Sequence, residues 1–388
     1  MTTTTTLPNM ATKGANPLKG LLAYGQSPWL DFIRRNILLN GDLKKMIEND
    51  GLRGMTSNPA IFEKAITAGD DYNDIIKAPD AKSSTAMALY EKIAIRDVQD
   101  AADIFSSVYK ETKGRDGCVS LEVSPHLAFD TQATLDEARR LWKAVNRPNV
   151  MIKIPGTPQG LPAIREALEE GININITLLF AQSAYEQVAE AYIAALEARV
   201  AKGQDVSHIA SVASFFVSRI DSLVDSTIDT KLKTETDSAK KALLESLRGK
   251  VAIANARRTY AKYQEIIATP RWKALAAKGA QTQRLLWAST STKNPKYRDV
   301  LYVEELIGAD TVDTVPPATF DAFRDHGRLR KSLTEDLAGA NKTMDELEAA
   351  GIPMKGVTDK LLADAVKLFQ DPFRQLLEAI TKHAGVSA

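Results

Sequence analysis

Short apolar runs alternate with longer helical patterns along most of this 388-residue chain. Each run has the length of a β-strand, and the segments between them show the apolar repeat of amphipathic helices. Parallel strands need such crossover helices, because the chain must return to the same end of the sheet before it pairs again. The predicted strands are Pro28–Ile33, Leu52–Ser57, Cys118–Val123, Asn149–Pro155, Ile172–Leu178, His208–Val212, Arg284–Ser289 and Thr311–Val315. Eight such units predict an α/β fold, a single (β/α)8 TIM barrel.

The sequence predicts one large domain, residues 17–388, behind a short tail. Residues 1–16 are rich in threonine and low in complexity, so we expect a mobile tail. This stretch has no apolar h-region, so we expect no secretory signal. Two segments, at about 70–112 and 218–278, are longer than one crossover needs and are predicted helical insertions. After the eighth strand, two further helical patterns predict a C-terminal helical extension that covers the barrel.

Composition argues against several classes of function. Lysine plus arginine number 50 and aspartate plus glutamate 49, so there is no basic field to attract nucleic acid or an anionic membrane. No apolar run reaches the ~20 residues of a membrane-spanning helix. Cys118 is the single cysteine, which favours a reducing, cytoplasmic location. The four histidines lack metal-ligand spacing and no glycine-rich nucleotide loop is present, so we expect no metal and no cofactor.

The fifth predicted strand, in GININITLLF, carries a polar stripe in which Asn175 and Thr177 alternate with isoleucines. In a parallel barrel neither face of a strand meets bulk water, so the stripe is not explained by solvation. Polar groups that point inward at the carboxyl ends of barrel strands form active sites. The ends of four other predicted strands carry Asp31, Asn58, Glu122 and Lys153. Their recurrence on five strands favours a functional site over isolated structural roles.

A lysine with two carboxylates predicts Schiff-base chemistry. Burial among apolar neighbours lowers the pKa of a lysine amine, because desolvation disfavours the ammonium form. A neutral amine attacks a ketone, and the resulting imine accepts electrons when a neighbouring carbon–carbon bond breaks. One carboxylate must take the proton of the substrate hydroxyl and another must manage water during imine formation, needs that Asp31 and Glu122 fit. Asn58, Asn175 and Thr177 supply neutral donors and acceptors for a polyhydroxyl substrate.

Two late loops combine hydroxyl groups with cations. Ser214 and Arg219 lie around the predicted start of the helix after the sixth strand, and Ser289 and Lys293 follow the seventh strand. Helix N-termini attract anions, and arginine binds phosphate through two parallel hydrogen bonds. Because barrels often bind phosphate at late loops, the sequence predicts a phosphate site here.

Six motifs resemble the transaldolase family, in the family's order, from about Asn16 to His383. They are GLRGMTSNPAIFEKAI, NVMIKIPGTPQGLPAI, GININITLLF, ASVASFFVSRID, LLWASTSTKNPKY and DTVDTVPPATF. The chain resembles most closely the longer bacterial form, which also occurs fused to a glucose-6-phosphate isomerase. No isomerase segment follows here, so we expect the stand-alone type.

The resemblance implies a role for each site residue. Lys153 would form the Schiff base, Asp31 would be the acid/base, and Glu122 and Thr177 would position the catalytic water. The substrate would be bound by Thr56, Ser57, Asn58, Asn175 and Phe216, and its phosphate by Ser214, Arg219, Ser289 and Lys293. Two positions depart from shorter relatives: Phe215 replaces a proline, and the run from Ser289 to Lys293 replaces a Ser-Phe-Arg sequence.

The reaction implied by the resemblance moves a dihydroxyacetone unit from sedoheptulose 7-phosphate to glyceraldehyde 3-phosphate. It gives erythrose 4-phosphate and fructose 6-phosphate in the non-oxidative pentose phosphate pathway. The expected partners are small sugar phosphates, without nucleic acid or membrane, and the expected assembly is a monomer or homodimer.

Two alternatives remain open at the level of sequence. A fructose 6-phosphate aldolase shares the fold and the lysine, but that relative has tyrosine at the position of Phe216, whose ring has no proton to give to water. A non-catalytic scaffold would instead use the helical segment 218–278 as a surface for a partner. Trapping of the lysine with borohydride separates the scaffold from both enzymes.

Overall fold

The computed structural model describes residues 16–67 and 69–386, and in this part of the chain eight parallel strands close into a barrel. The strands pair in chain order, and the eighth returns to the first. They are β1 (Gln26–Asp31), β2 (Gly54–Thr56), β3 (Cys118–Glu122), β4 (Val150–Pro155), β5 (Ile174–Leu179), β6 (Ser211–Phe216), β7 (Arg284–Ala288) and β8 (Thr311–Val315). The predicted (β/α)8 barrel is confirmed.

Helices surround the barrel and cover its carboxyl end. In the described residues they are α1 (Pro17–Gly20), α2 (Arg35–Leu39), α3 (Asp42–Asp50), α4 (Pro59–Thr67), α5 (Asn73–Ile76), α6 (Ala86–Ile104), α7 (Ser106–Glu111), α8 (Thr131–Val145), α9 (Gly160–Glu170), α10 (Gln182–Ala201), α11 (Ser218–Leu232), α12 (Ser238–Ser246), α13 (Val251–Ala268), α14 (Pro270–Ala276), α15 (Leu301–Glu305), α16 (Pro317–His326), α17 (Leu337–Ala349) and α18 (Met354–Ala384). Short 3₁₀ turns lie at Leu21–Tyr24, Pro79–Ser83, Pro125–Leu127 and Ser332–Thr334.

A capping side chain and a glycine fix the ends of two crossover helices beside the site. The side chain of Asp130 accepts a hydrogen bond from the backbone amide of Ala133 and caps the start of α8. Gly171 ends α9 at a φ of 96°, a left-handed conformation in which glycine avoids the steric conflict of a side chain. The chain therefore turns directly from α9 into β5.

Seven predicted strands overlap the observed ones closely, whereas the sixth is displaced. The prediction His208–Val212 is wrong in its position, because β6 runs from Ser211 to Phe216. The sequence from Ile209 to Val217 is apolar or small throughout, so its pattern does not mark where a strand begins. As a consequence Ser214 lies within β6, and only Arg219 lies at the start of α11.

The insertions and the extension are helical. Segment 70–112 contains α5 to α7, and segment 218–278 contains α11 to α14. The 31-residue helix α18 packs against α4, α6, α11 and β5 and so crosses the carboxyl end of the barrel. Residues 1–15 of the predicted tail lie outside the described residues. Its last residue, Asn16, caps α1 and donates a hydrogen bond to the carboxylate of Asp50.

A helix that crosses a bilayer must be both long and apolar. None of the described helices combines the two properties.

Candidate active site

The register of β3, β4 and β5 brings the predicted lysine between two polar residues. Lys153 on β4 lies opposite Glu122 on β3 and Asn175 on β5. In parallel strands such register partners point to the same face, here the barrel interior. The Nζ of Lys153 lies 3.4 Å from Oε2 of Glu122 and donates a hydrogen bond of 3.3 Å to the carbonyl oxygen of Ser57. Only 5% of Lys153 is exposed, so its amine is held away from bulk solvent.

Asp31 lies across the barrel from this lysine, at the end of β1. Its Oδ1 accepts a hydrogen bond of 2.7 Å from the hydroxyl of Thr56 on β2, and that hydroxyl is 2.6 Å from the hydroxyl of Thr314 on β8. Burial raises the pKa of Asp31, while the charges of Lys153 and Lys293 and the hydrogen bond from Thr56 act in the opposite direction. The carboxylate is thus a stronger base than an exposed aspartate.

Glu122 and Thr177 carry buried oxygens with spare hydrogen-bonding capacity. Oε2 of Glu122 has the ion pair with Lys153 alone, Oε1 has no partner among the described residues, and the hydroxyl of Thr177 has none there either. Burial raises the pKa of Glu122, the charge of Lys153 lowers it, and that of Asp31 raises it. Unpaired buried polar groups cost stability, so Oε1 of Glu122 and the hydroxyl of Thr177 indicate atoms reserved for water or substrate.

Asn175 lies beneath the cavity floor in a hydrogen-bonded row. Its amide donates to the hydroxyl of Ser120 at 3.0 Å, and its oxygen accepts from the hydroxyl of Ser214 at 2.6 Å. Ser57 also turns its hydroxyl away from the centre, donating to the carbonyl oxygen of Ser120 at 2.8 Å. This row of hydrogen bonds fixes the positions of β3, β5 and β6 relative to one another along the barrel axis. The predicted substrate-binding roles of Asn175 and Ser57 remain predictions.

Asn58 and the segment after β7 shape the rim. The side-chain oxygen of Asn58 accepts a hydrogen bond from the backbone amide of Ile61 at 3.0 Å and so begins α4. Ser289 has a φ of 57°, and its hydroxyl lies 3.0 Å from that of Ser218. A left-handed non-glycine residue needs support from its surroundings, which this contact with the first residue of α11 provides.

Two cations face the cavity without a carboxylate of their own. Arg219 forms no hydrogen bond or ion pair with any described residue, and its guanidinium lies 5.7 Å from the centre of the Phe216 ring. Burial lowers the pKa of Arg219. The pKa of Lys293 is lowered by burial and by the charge of Arg219, while its amine donates a hydrogen bond of 2.6 Å to Ser291. An anion between Arg219 and Lys293 would relieve this repulsion.

These side chains surround a single cavity of about 580 Å³ at the carboxyl end of the barrel. Of the predicted site residues, its lining contains Asp31, Thr56, Asn58, Lys153, Thr177, Ser214, Phe216, Arg219, Ser289 and Lys293. Glu122, Ser57 and Asn175 lie directly behind that lining, since each is in register with, or bonded to, a residue that faces the cavity. The structure therefore brings all thirteen predicted residues into one region.

Several lining residues were missed from the sequence, among them Lys64, Ser291, Thr314 and Phe369. Thr314 carried the same signal as the others, a polar residue near the end of a predicted strand. Lys64 lies on α4 and Phe369 on α18, where a helical pattern does not reveal which face meets the cavity.

The strand beneath Thr177 is irregular. The pairing of β5 with β6 shifts between Ile176 and Leu179, and Leu178 adopts a φ of 63°. Bulges of this kind re-aim side chains and are found next to active sites. Here the bulge follows Thr177 immediately and turns the chain outward into α10.

The arrangement supports amine catalysis on an anionic substrate. It combines a buried amine, a carboxylate beside it, a second carboxylate across the cavity, and two cations at the mouth. The expectation that the site needs no metal and no cofactor stays a prediction.

Comparison with known proteins gives a consistent picture. A family model described as Transaldolase/Fructose-6-phosphate aldolase matches residues 28–380. The transaldolase of Trichodesmium erythraeum is 51% identical over 367 residues, covering 94% of this chain and 97% of that protein. Transaldolase 2 of Nostoc punctiforme is 48% identical over 368 residues, with the same coverage of each chain. The chain therefore belongs to the transaldolase/fructose-6-phosphate aldolase family, as its motifs predicted.

Proposed function

We propose that this chain is a transaldolase. It transfers a dihydroxyacetone unit from sedoheptulose 7-phosphate to glyceraldehyde 3-phosphate through a Schiff base on Lys153, giving erythrose 4-phosphate and fructose 6-phosphate. The observation that carries the proposal is the buried amine of Lys153, 3.4 Å from Glu122 in a cavity that also holds Asp31. The names of the relatives, transaldolase in each case, support it.

Imine formation needs an acid and a held water. The amine of Lys153 attacks the substrate ketone, and the carbinolamine must then lose its oxygen as water. Glu122 lies beside the amine and burial raises its pKa, so it is the group placed to give a proton to the departing water. The free hydroxyl of Thr177 holds the same water. In the last stage these steps run backward and release the product.

Carbon–carbon cleavage needs a base on the other side of the substrate. Asp31 takes the proton of the hydroxyl next to the bond that breaks, and the electrons of that bond move into the imine to form an enamine. The first aldehyde then leaves, and the enamine carbon attacks the second aldehyde, whose oxygen takes the proton back from Asp31. Thr56 holds the carboxylate in place by its hydrogen bond.

The cations at the mouth select phosphorylated sugars. A phosphate group bound by Arg219 would form paired charge-assisted hydrogen bonds, and the nearby Lys293 adds a second positive charge. The hydroxyls of Ser214 and Ser289 line the same cavity. This arrangement supports the sugar phosphates as substrates of the proposed reaction.

Transfer is favoured over simple cleavage by the aromatic wall. Phe216 faces the cavity, is 6% exposed, and packs against Phe180 with ring centres 5.3 Å apart. Neither ring has a proton to donate to the enamine. The enamine therefore persists until an acceptor aldehyde binds. A fructose 6-phosphate aldolase would need a proton donor to release free dihydroxyacetone.

The test is reductive trapping. The chain is incubated with fructose 6-phosphate and borohydride, and the adduct is located by intact mass and peptide mapping. We expect a reduced three-carbon adduct on Lys153 that is absent from Lys153→Ala and from Lys153→Arg. No adduct, or one on another lysine, would refute the proposed chemistry. Formation of sedoheptulose 7-phosphate after addition of erythrose 4-phosphate then separates transferase from aldolase.

We also propose that the enzyme works in the cytoplasm. The chain has a single cysteine, Cys118, which cannot form an intramolecular disulfide. Burial raises the pKa of this thiol to about 12, so little of the reactive thiolate forms and the side chain suits a structural position.

A further inference from the structure

The amine of Lys153 is covered by an aromatic ring from the last helix. The ring centre of Phe369, on α18, lies 5.8 Å from Nζ of Lys153. Phe369 is 6% exposed and lines the active-site cavity. It faces the amine from the mouth side, because α18 crosses the carboxyl end of the barrel.

Neighbouring contacts fix the position of this ring. Val366 and Phe373, three residues before and four residues after, lie on the same face of α18 and are both buried. Phe373 packs edge-on against Tyr90, with ring centres 5.4 Å apart. The amide of Gln370 donates a hydrogen bond to the carbonyl oxygen of Pro125, just beyond β3. The ring is thus held over the lysine and does not depend on bound substrate.

The Phe369 ring can exclude water, which competes with the acceptor aldehyde for the intermediate on Lys153. A cavity of about 580 Å³ has room for about 20 water molecules. Between departure of the first aldehyde and arrival of the second, the three-carbon unit remains on Lys153 as an enamine. If the enamine carbon takes a proton and water adds to the imine carbon, the carbon–nitrogen bond breaks. Free dihydroxyacetone then leaves, and the lysine amine is regenerated without transfer.

We infer that Phe369 determines the partition between transfer and hydrolysis by shielding the covalent intermediate on Lys153 from water. This inference rests on the proposed function and extends it to a residue outside the barrel strands. The ring face also attracts the positive charge of the iminium form, which holds that group under the ring and away from solvent. An aliphatic side chain fills part of the space but gives neither the flat cover nor the attraction to charge.

The experiment compares Phe369→Leu with the unaltered chain. Free dihydroxyacetone released from fructose 6-phosphate and sedoheptulose 7-phosphate formed after addition of erythrose 4-phosphate are measured in the same reaction. We expect the ratio of hydrolysis to transfer to rise about tenfold in Phe369→Leu. The matched control is Ile380→Ala, which removes a buried apolar side chain from α18 three turns beyond Phe369 and leaves the contacts that hold the Phe369 ring in place. Its ratio should stay within about twofold of the unaltered chain.

Borohydride trapping on Lys153 is run in parallel. An adduct in Phe369→Leu together with an unchanged ratio would overturn this inference and leave the proposed function intact. An equal rise in both variants would also overturn it, because loosening of α18 would then be the cause. If Phe369→Leu fails to fold, Phe369→Met serves for the same comparison. Absence of an adduct in the unaltered chain would refute the proposed function, and this inference with it.

Discussion

The hydrogen bond from Thr56 to Asp31 allows the acid/base assignment to be tested at one atom. In Thr56→Val a methyl group replaces the hydroxyl, with little change of shape at a site that is 1% exposed. The lost bond is 2.7 Å long and ends on a carboxylate. Such bonds contribute about 1.5–3 kcal/mol. Because the bond favours the ionised form, its loss raises the pKa of Asp31 above its already raised position.

The consequence should be visible in the pH profile of donor cleavage. In the proposed mechanism cleavage needs ionised Asp31, so activity should fall as pH drops through its pKa. At about 1.4 kcal/mol for each pH unit, the acidic limb of kcat/KM should move to higher pH by about one to two units in Thr56→Val. The assay follows erythrose 4-phosphate release from sedoheptulose 7-phosphate between pH 5 and 9.

Thr314→Val is the matched control for this profile. Its hydroxyl contacts that of Thr56 at 2.6 Å, whereas the carboxylate of Asp31 is bonded by Thr56 itself. Removal of the Thr314 hydroxyl leaves the hydrogen bond from Thr56 to Asp31 in place. We therefore expect the acidic limb of kcat/KM to move by less than about half a pH unit. An acidic limb that stays in place in Thr56→Val, or moves to lower pH, would refute the role of Asp31 as the base.

Three further predictions concern binding and stability. Arg219→Ala should raise KM for phosphorylated donors about 10- to 100-fold, from the loss of charge-assisted hydrogen bonds, and change KM for unphosphorylated fructose little. Burial raises the pKa of Asp313 to about 7, so the folded chain holds a proton that the unfolded chain releases at about pH 4. The contribution of Asp313 to stability should therefore fall as pH rises from about 4 to 7, and urea unfolding of Asp313→Asn should show a smaller loss of stability over that range than the unaltered chain. In Gly54→Ala the added Cβ would collide with the buried Trp29 ring, and urea unfolding should show a loss of about 1–3 kcal/mol. Gly356→Ala meets nothing closer than 3.8 Å and should show no such loss.

The barrel was predictable because its strands are short, apolar and well separated by helices. Strand β8 was found at its observed bounds, and β3 and β4 within one residue. The same pattern predicted most of the site, since a polar residue near the end of a strand that is buried on both faces needs a partner or a ligand. Glu122 and Lys153, both predicted from this pattern, lie opposite each other on neighbouring strands.

The rest depended on tertiary structure. The alternation of polar and apolar residues in the sequence cannot show that the side-chain amide of Asn175 is hydrogen-bonded to both Ser120 and Ser214. It also cannot show how α18 lies over the barrel, because the direction of a helix is set by the surfaces on which it packs. For the same reason Phe369 had no signal in the sequence. The start of β6 was misplaced, since a continuous apolar run lacks a boundary.

The position of Phe369 near the far end of the chain has a consequence for biosynthesis. The lining of the active-site cavity includes residues from Asp31 to Phe369, so the cavity depends on most of the length of the chain. Chains are synthesised from the N-terminus, and distant contacts form late in folding. The strands that carry Lys153 and Glu122 can pair while their amine and carboxylate still face water. A nascent chain therefore acquires a closed reaction chamber only when α18 has been made and has docked.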